Sequence, residues 1–441
     1  MKTVETIIHA KWIIPIVPEE IILNLHCLVI DQDKIVDILP SENVDLHYTS
    51  NQTFELLEHA ITPGFINSHT HASMNLLRGF ADDLALMDWL QNHIWPAEAK
   101  WVSPEFVYEG TQLAIAESVR SGVTCFNDMY FFPDEAAKAV DEAGFRATIG
   151  LIIIDFPTVW AANADEYLEK ALALHDELKT HSRVSTAFAP HAPYTVSDEP
   201  LQKVVSYAEE LDIPIHMHVH ETAFEVAQAE ETSGQRPLQR IADHGLLTPR
   251  LLAVHMTQLN DEEIQLCAEN GVHVVHCPDS NMKLASGFCP VQKLLDANIN
   301  VCLGTDSASS NNNLDMLGET RSAALLAKIV SGDATAVSAY TALKMATLNG
   351  AKALGIDHIT GSLEKGKSAD ITAIDLSEIE TQPLFNPVSQ IVYSACRTQV
   401  THVWVDGKCL LNDRTLTTLD ENHLKSIAKR WNDKLAEPNN E

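Results

Sequence analysis

From Ile61 to about residue 306 the chain repeats one pattern: a short apolar run breaks into a polar cluster and is followed by a longer stretch with helical spacing of its apolar residues. The eight runs are GFINSHTH, VTCFNDMY, RATIGLIII, RVSTAFAPHAPY, IPIHMHVHE, LLAVHMTQ, VHVVHCPDS and INVCLGTDS. Each has the length of a strand buried on both faces. The intervening segments carry helix signals. In SPEFVYEGTQLAIAESVRSG, Ser103 can cap a helix, Pro104 suits its first turn and Gly122 can end it. Strands alternating with helices predict a parallel sheet with crossover connections, and so many units predict closure into a (β/α)8 TIM-like barrel. An open doubly wound sheet is the rival, but SHTHASMN is not the glycine-rich first turn such a sheet more often shows.

The two ends of the chain read differently. TIIHAKWIIPI, EIILNLHCLVID and KIVDILP are strand-like with little helix between them, and SADITAIDL and THVWVDGKCLL return to that character. They predict a small β-sandwich domain whose first part is residues 1–60 and whose second part is residues 363–441, with the barrel, residues 61–362, inserted between them. DENHLKSIAKRWNDKLAE sets Leu424, Ile427, Trp431 and Leu435 on one helical face, predicting a docked amphipathic helix near the end.

Histidines gather where the predicted barrel strands end. His69 and His71 stand two apart, so on a strand both project from one face, at the end of an α/β barrel where active sites are built. Alone, the pair fits a metal site and two satisfied polar residues about equally. In the fifth strand His216, His218 and His220 alternate, so all three can face the barrel axis, with His218 near the mouth. That third imidazole completes the nitrogen set of a catalytic metal site with an open position. The sixth strand ends in His255 and the eighth in Asp306. Glu221 follows His218 by three residues, so strand parity points it away unless the chain has begun to turn there. A first-turn glutamate on the next helix is its plain structural alternative.

Three imidazoles and a carboxylate around one borderline-soft divalent ion, a set that zinc, iron and manganese all accept, can bring a water molecule toward a neutral pKa. Asp306 can then take a proton from that water, His255 orient it, and Glu221 protonate a ring nitrogen and later the leaving group. The product is a hydrolysed C–N bond. His191 follows the fourth strand, which offers no lysine to bridge a second ion, so one ion per subunit is expected.

Composition narrows the partners. With 30 Lys+Arg against 61 Asp+Glu and a net charge of −31, the surface repels phosphate backbones and anionic lipids, which excludes nucleic acid and membrane surfaces. None of the 8 cysteines forms a C-x-x-C pair, consistent with free thiols in a reducing compartment, and the N-terminal apolar residues are interrupted by Glu5, His9, Lys11 and Pro15. A cytoplasmic protein is expected, with a homo-oligomer suggested by the exposed β unit.

PGFINSHTH at the first strand, with histidines ending the fifth and sixth and an aspartate ending the eighth, resembles the amidohydrolase superfamily across nearly the whole chain. Within it, MNLLRGFADDLALMDWLQNHIWPAEAKW, APHAPYTVSDE, HMHVHET and HCPDSNMKLASG are similar to the 5-methylthioadenosine/S-adenosylhomocysteine deaminases. The resemblance implies a mononuclear zinc site at His69, His71, His218 and Asp306, with Glu221 as proton shuttle and His255 near the attacking water. It also implies that Glu98 accepts hydrogen bonds from ribose hydroxyls and that His191 contacts the nucleoside, with Glu221 and Asp306 also meeting the substrate.

The expected activity is hydrolytic deamination of an adenine nucleoside at C6. The absence of arginine between Arg146 and Arg183 favours 5′-methylthioadenosine or adenosine over S-adenosylhomocysteine, whose tail carries a carboxylate. The alternatives are a deaminase or chlorohydrolase acting on guanine, a pyrimidine or an s-triazine, and a metal-free scaffold that keeps the barrel without its chemistry.

Overall fold

The computed structural model describes residues 1–436. Its centre is an eight-stranded sheet made of β5 (Phe65–Thr70), β6 (Val123–Tyr130), β7 (Arg146–Ile153), β8 (Val184–Pro190), β9 (Ile215–Val219), β10 (Leu251–His255), β11 (His273–His276) and β12 (Val301–Leu303), which lie in chain order. Neighbouring strands are parallel throughout. The seam between β12 and β5 is bridged by side chain and backbone together: Thr305 N–H donates to Asn67 Oδ1 at 2.9 Å and Asp306 N–H to the His69 carbonyl at 3.0 Å. Ile66, Cys125, Leu252, Val254, Val275 and Cys302 form one buried cluster. Strands that are not neighbours, such as β6 and β10, meet only across a barrel interior, so these residues fill it. The sheet is therefore the expected (β/α)8 barrel.

Helices follow as the punctuation predicts. Pro104–Arg120 is capped by Ser103, whose side chain accepts from Phe106 N–H, and Gly122 takes φ +88 immediately after it.

The second sheet is built from both ends of the chain. Before the barrel come β1 (Lys2–Ile13), β2 (Leu23–Asp31), β3 (Lys34–Pro40) and β4 (Tyr48–Pro63), and after it β13 (Ile371–Asp375), β14 (Val400–Val405), β15 (Lys408–Asn412) and β16 (Thr415–Leu416). The order is β16-β15-β14-β13-β4-β1-β2-β3, with β1 and β4 parallel and the other pairs antiparallel. This single mixed sheet curls back on itself: Ile35 N–H reaches the Lys367 carbonyl and Ala369 N–H the Asp33 carbonyl, joining β3 to the segment ahead of β13. Ile8, Leu28, Phe54, Ile371 and Trp404 form the core of that curl. The helix Glu421–Leu435 buries Leu424, Ile427 and Trp431, and Trp431 stacks edge-on against Phe106 at 5.1 Å. No helix among the described residues is long and apolar enough to cross a membrane.

The sheet and the barrel are joined at the N-terminal end of the barrel strands. Arg146, the first residue of β7, is buried and donates to Asp370 Oδ2 at 2.7 Å, to Ser368 Oγ at 2.9 Å and to Asp406 Oδ1 at 3.1 Å. Burial alone would raise the Asp370 carboxyl, but the guanidinium overrides it and holds the group below its ordinary range.

Candidate metal centre and active site

At the opposite end of the barrel, four ring nitrogens and two carboxylates meet in a cavity of about 470 Å³. His69 Nε2 and His71 Nε2 each lie 3.3 Å from Asp306 Oδ1, and His218 Nε2 lies 3.3 Å from His69 Nε2. The far nitrogen of each ring is already engaged. His71 Nδ1 meets the Met129 carbonyl at 2.6 Å, His218 Nδ1 the His191 carbonyl at 2.7 Å, and His69 Nδ1 meets His216 Nε2 at 2.8 Å. Carbonyls accept only, so His71 and His218 carry their protons on Nδ1 and turn the Nε2 lone pairs inward. With His69 Nδ1 donating to His216, three lone pairs and a carboxylate oxygen face one point. Two acceptors 3.3 Å apart repel unless a cation lies between them, and burial keeps the His69–His218 pair neutral: it pushes His69 down to about 4 and His218 well below its usual value. An unmade buried hydrogen bond costs ~1–3 kcal/mol, whereas structural zinc in small domains contributes about 10–16 kcal/mol. The donor set fits a divalent metal ion with a vertex left open.

Asp306 is held hard. Oδ1 accepts from Ser307 N–H at 2.8 Å, and Oδ2 from the hydroxyls of Ser280 and Ser310 at 2.6 and 2.9 Å. Although burial opposes ionisation, His69 and His71 keep this carboxyl well below the usual range. His71 is raised in return: burial disfavours its charge, and Asp306 overrides that.

His255 and Glu221 complete the floor, and both reach it by leaving strand geometry. Val254 pairs with His218 and shares its face, so plain alternation turns His255 away. His255 instead takes φ +74, and its ring lies 5.5 Å from that of His218. His220 takes φ +54 and Asp306 φ +61. Each such left-handed residue costs ~1–3 kcal/mol, a strain that clusters at sites of chemistry. His255 Nδ1 pairs with Asn281 Oδ1 at 2.9 Å, while its Nε2 lies 3.9 Å from Glu221 Oε2. Glu221 is buried, and burial raises its pKa, with the Asp306 charge adding to the effect and His255 opposing it.

The remaining sequence candidates line the same cavity. His191 follows β8, and burial pushes it down to about 3. Glu98, on the helix Trp95–Trp101, accepts from Tyr130 O–H at 2.7 Å, and burial lifts it to about 7. The structure thus brings His71, His218, Asp306, Glu221, His255, Glu98 and His191 to the wall of one cavity, with His69 fully buried behind it and in contact with His71, His218 and Asp306. His216 sits one layer deeper, against His69. His220 does not face the axis with its neighbours; its Nε2 accepts from Leu238 N–H at 3.1 Å.

Ser280, Ser310 and Asn281, which hold Asp306 and His255, escaped sequence reasoning. For Ser280 and Asn281, DSN in HCPDSNMK was the available signal, since it lies just past the end of β11.

Residues 60–410 match the pattern of the amidohydrolase family. The chain belongs to that family. Among relatives of this amidohydrolase, a protein of Saccharophagus degradans named 5-methylthioadenosine/S-adenosylhomocysteine deaminase is 50% identical over 431 residues, covering 98% of this chain and 97% of its own. A protein of the same name from Teredinibacter turnerae is 48% identical over 433 residues, with 98% of each chain covered. The solved structure of an adenosine deaminase from Xanthomonas campestris with bound zinc superposes with a TM-score of 0.97 at 50% identity, over 98% of this chain and 99% of that one.

Proposed function

We propose that this amidohydrolase is a zinc-dependent aminohydrolase that replaces the C6 amino group of an adenine nucleoside with oxygen and releases ammonia, with 5′-methylthioadenosine as preferred substrate. Adenosine and S-adenosylhomocysteine are its further candidates. The convergence of three inward imidazole lone pairs and Asp306 beside a protonatable Glu221 carries the reading. The names of the relatives at about half identity support it.

His69, His71, His218 and Asp306 are the residues that would hold one zinc ion per subunit. When bound, zinc supplies Lewis acidity that makes water nucleophilic near neutral pH. The protein's own groups handle the protons. Asp306, fixed by Ser280 and Ser310, accepts a proton from the water attacking C6. Glu221, raised by burial and therefore able to hold a proton, gives it to the adjacent ring nitrogen. The C6–N bond then breaks as the proton on Asp306 passes to the amino group, which leaves as ammonia, while the C6 hydroxyl returns its proton to Glu221 and becomes the oxo group of the product, the ring nitrogen keeping the proton it received. His255, oriented by Asn281, aligns the attacking water. His191 contacts the base, and Glu98 accepts from the ribose hydroxyls through the oxygen that Tyr130 leaves free.

Specificity for the 5′ end rests on the cavity's mouth. Leu86, Leu90, Phe156 and Val159 line it, and no described lining residue is a lysine or arginine. An apolar methylthio group suits such a wall, whereas a homocysteine carboxylate would be desolvated without a cation. The absorbance change of adenine-to-hypoxanthine conversion, followed with zinc-loaded protein on the three nucleosides, tests the reading. The expected order of kcat/KM places methylthioadenosine about tenfold or more above S-adenosylhomocysteine. No turnover of any of the three would overturn it.

A homo-oligomer acting in the cytoplasm is also proposed. The exposed Ile379 and Phe385 beyond β13 support association, and the eight free cysteines support a reducing compartment. Light scattering on the purified protein reads the assembly.

A further inference from the structure

Glu221 reaches the cavity only because the chain leaves β9 abruptly. Alternation from His218 would turn Glu221 away, and the left-handed step at His220 reverses it. Both backbone N–H groups exposed by that step end on one side chain: His220 N–H donates to Glu225 Oε1 at 3.3 Å and Glu221 N–H to Glu225 Oε2 at 2.7 Å. The carbonyls of the same two residues are tied from the other side, where Thr257 N–H donates to the His220 carbonyl at 3.0 Å and Thr257 Oγ1 to the Glu221 carbonyl at 2.7 Å. Glu225 lies in the first turn of the helix Ala223–Ser233, yet it is buried rather than solvated. The helix start is served separately by Thr222, whose hydroxyl accepts from Glu225 N–H at 3.2 Å. The Glu225 carboxylate therefore serves the turn ahead of the helix. It is not among the residues lining the substrate cavity, and borders instead a second cavity of about 360 Å³, with Tyr194 lining both.

We propose that Glu225 is a positioning residue: by clamping the N–H groups of His220 and Glu221 it fixes the left-handed step that delivers the Glu221 carboxylate to the substrate. Burial pushes the Glu225 carboxyl up to about 8, so the clamp rests on its two oxygens each accepting one backbone N–H of the strained turn rather than on a full charge. The inference rests on Glu221 being the proton donor of the proposed reaction.

The test compares Glu225→Ala and Glu225→Gln with wild type, alone and in a Glu221→Gln background, reading kcat, KM, zinc per chain and thermal denaturation. Glutamine keeps one acceptor but turns an NH2 group toward a backbone N–H. The expected loss in kcat is about 100-fold for alanine and about tenfold for glutamine, with KM within about threefold and zinc unchanged. In the Glu221→Gln background the further loss falls to within about twofold, because the group being positioned is already gone. Equal losses in both backgrounds, or a folded and metal-loaded Glu225→Ala with kcat within about twofold of wild type, would overturn the clamp. If alanine does not fold, the glutamine variant carries the same comparison. If wild type turns over no adenine nucleoside, the functional reading fails, and the crystal structure of Glu225→Gln decides the clamp separately. Displacement of the Glu221 carboxylate with His69, His71 and His218 in place supports it, and an unmoved Glu221 refutes it.

Discussion

The two ends of the barrel bury charged and titratable groups to opposite effect. At the N-terminal end, Arg146 is closed off by Asp370, Asp406 and Ser368, so each charge meets its complement within the protein. At the C-terminal end, His69, His71 and His218 have their outer nitrogens engaged and their inner ones aimed at one another and at Asp306. The first arrangement is complete without a ligand and ties barrel to sheet. The second is complete only around a cation. Burial alone does not mark a functional site; what distinguishes the two ends is whether the buried groups satisfy one another.

The contrast orders the expected outcomes. His69→Ala removes one of the converging lone pairs, so zinc per chain falls toward zero and turnover of methylthioadenosine drops by roughly 10⁴-fold or more, as metal analysis and the ultraviolet assay would show. Glu221→Gln keeps the zinc but loses the proposed proton donor, lowering kcat by about a thousandfold with metal content unchanged. Arg146→Met acts at the other end. Leaving Asp370 buried and unpaired costs about 3–5 kcal/mol in denaturant unfolding, while kcat per folded, zinc-loaded molecule stays at the wild-type value. Ser280→Ala loosens Asp306 without removing it, and its zinc affinity, measured by competition with a chelator, should fall about tenfold. An Arg146 variant that folds but cannot hold zinc would erase the distinction between the two ends.

The barrel and the first two histidines were legible because they follow period and position: buried strands read as apolar runs, and HTH ends the first of them. Alternation between strands and helices also anticipated the order of β5 to β12. What the pattern could not supply lies where the chain departs from its period. Glu221 and His255 sit on the wrong parity for the site and arrive by left-handed steps at His220 and His255, which no side-chain alternation encodes. Glu98 lies on a helix among aromatic residues, and only its resemblance to a family motif drew attention to it. Ser280 and Asn281 act across 26 residues each, on Asp306 and His255, so their partners become visible only once β10, β11 and β12 are side by side. The small sheet was expected as a sandwich of two chain ends, and it is one mixed sheet curled round a core, a closure made by backbone bonds between β3 and the segment ahead of β13.

The most direct measurement is zinc per chain, by elemental analysis, in wild type, His69→Ala and Arg146→Met purified under identical conditions. One zinc in wild type, one in folded Arg146→Met and none in His69→Ala is the result expected of a C-terminal end built around a single cation. Zinc retained by His69→Ala, or absent from a wild-type protein that still deaminates methylthioadenosine, would contradict it.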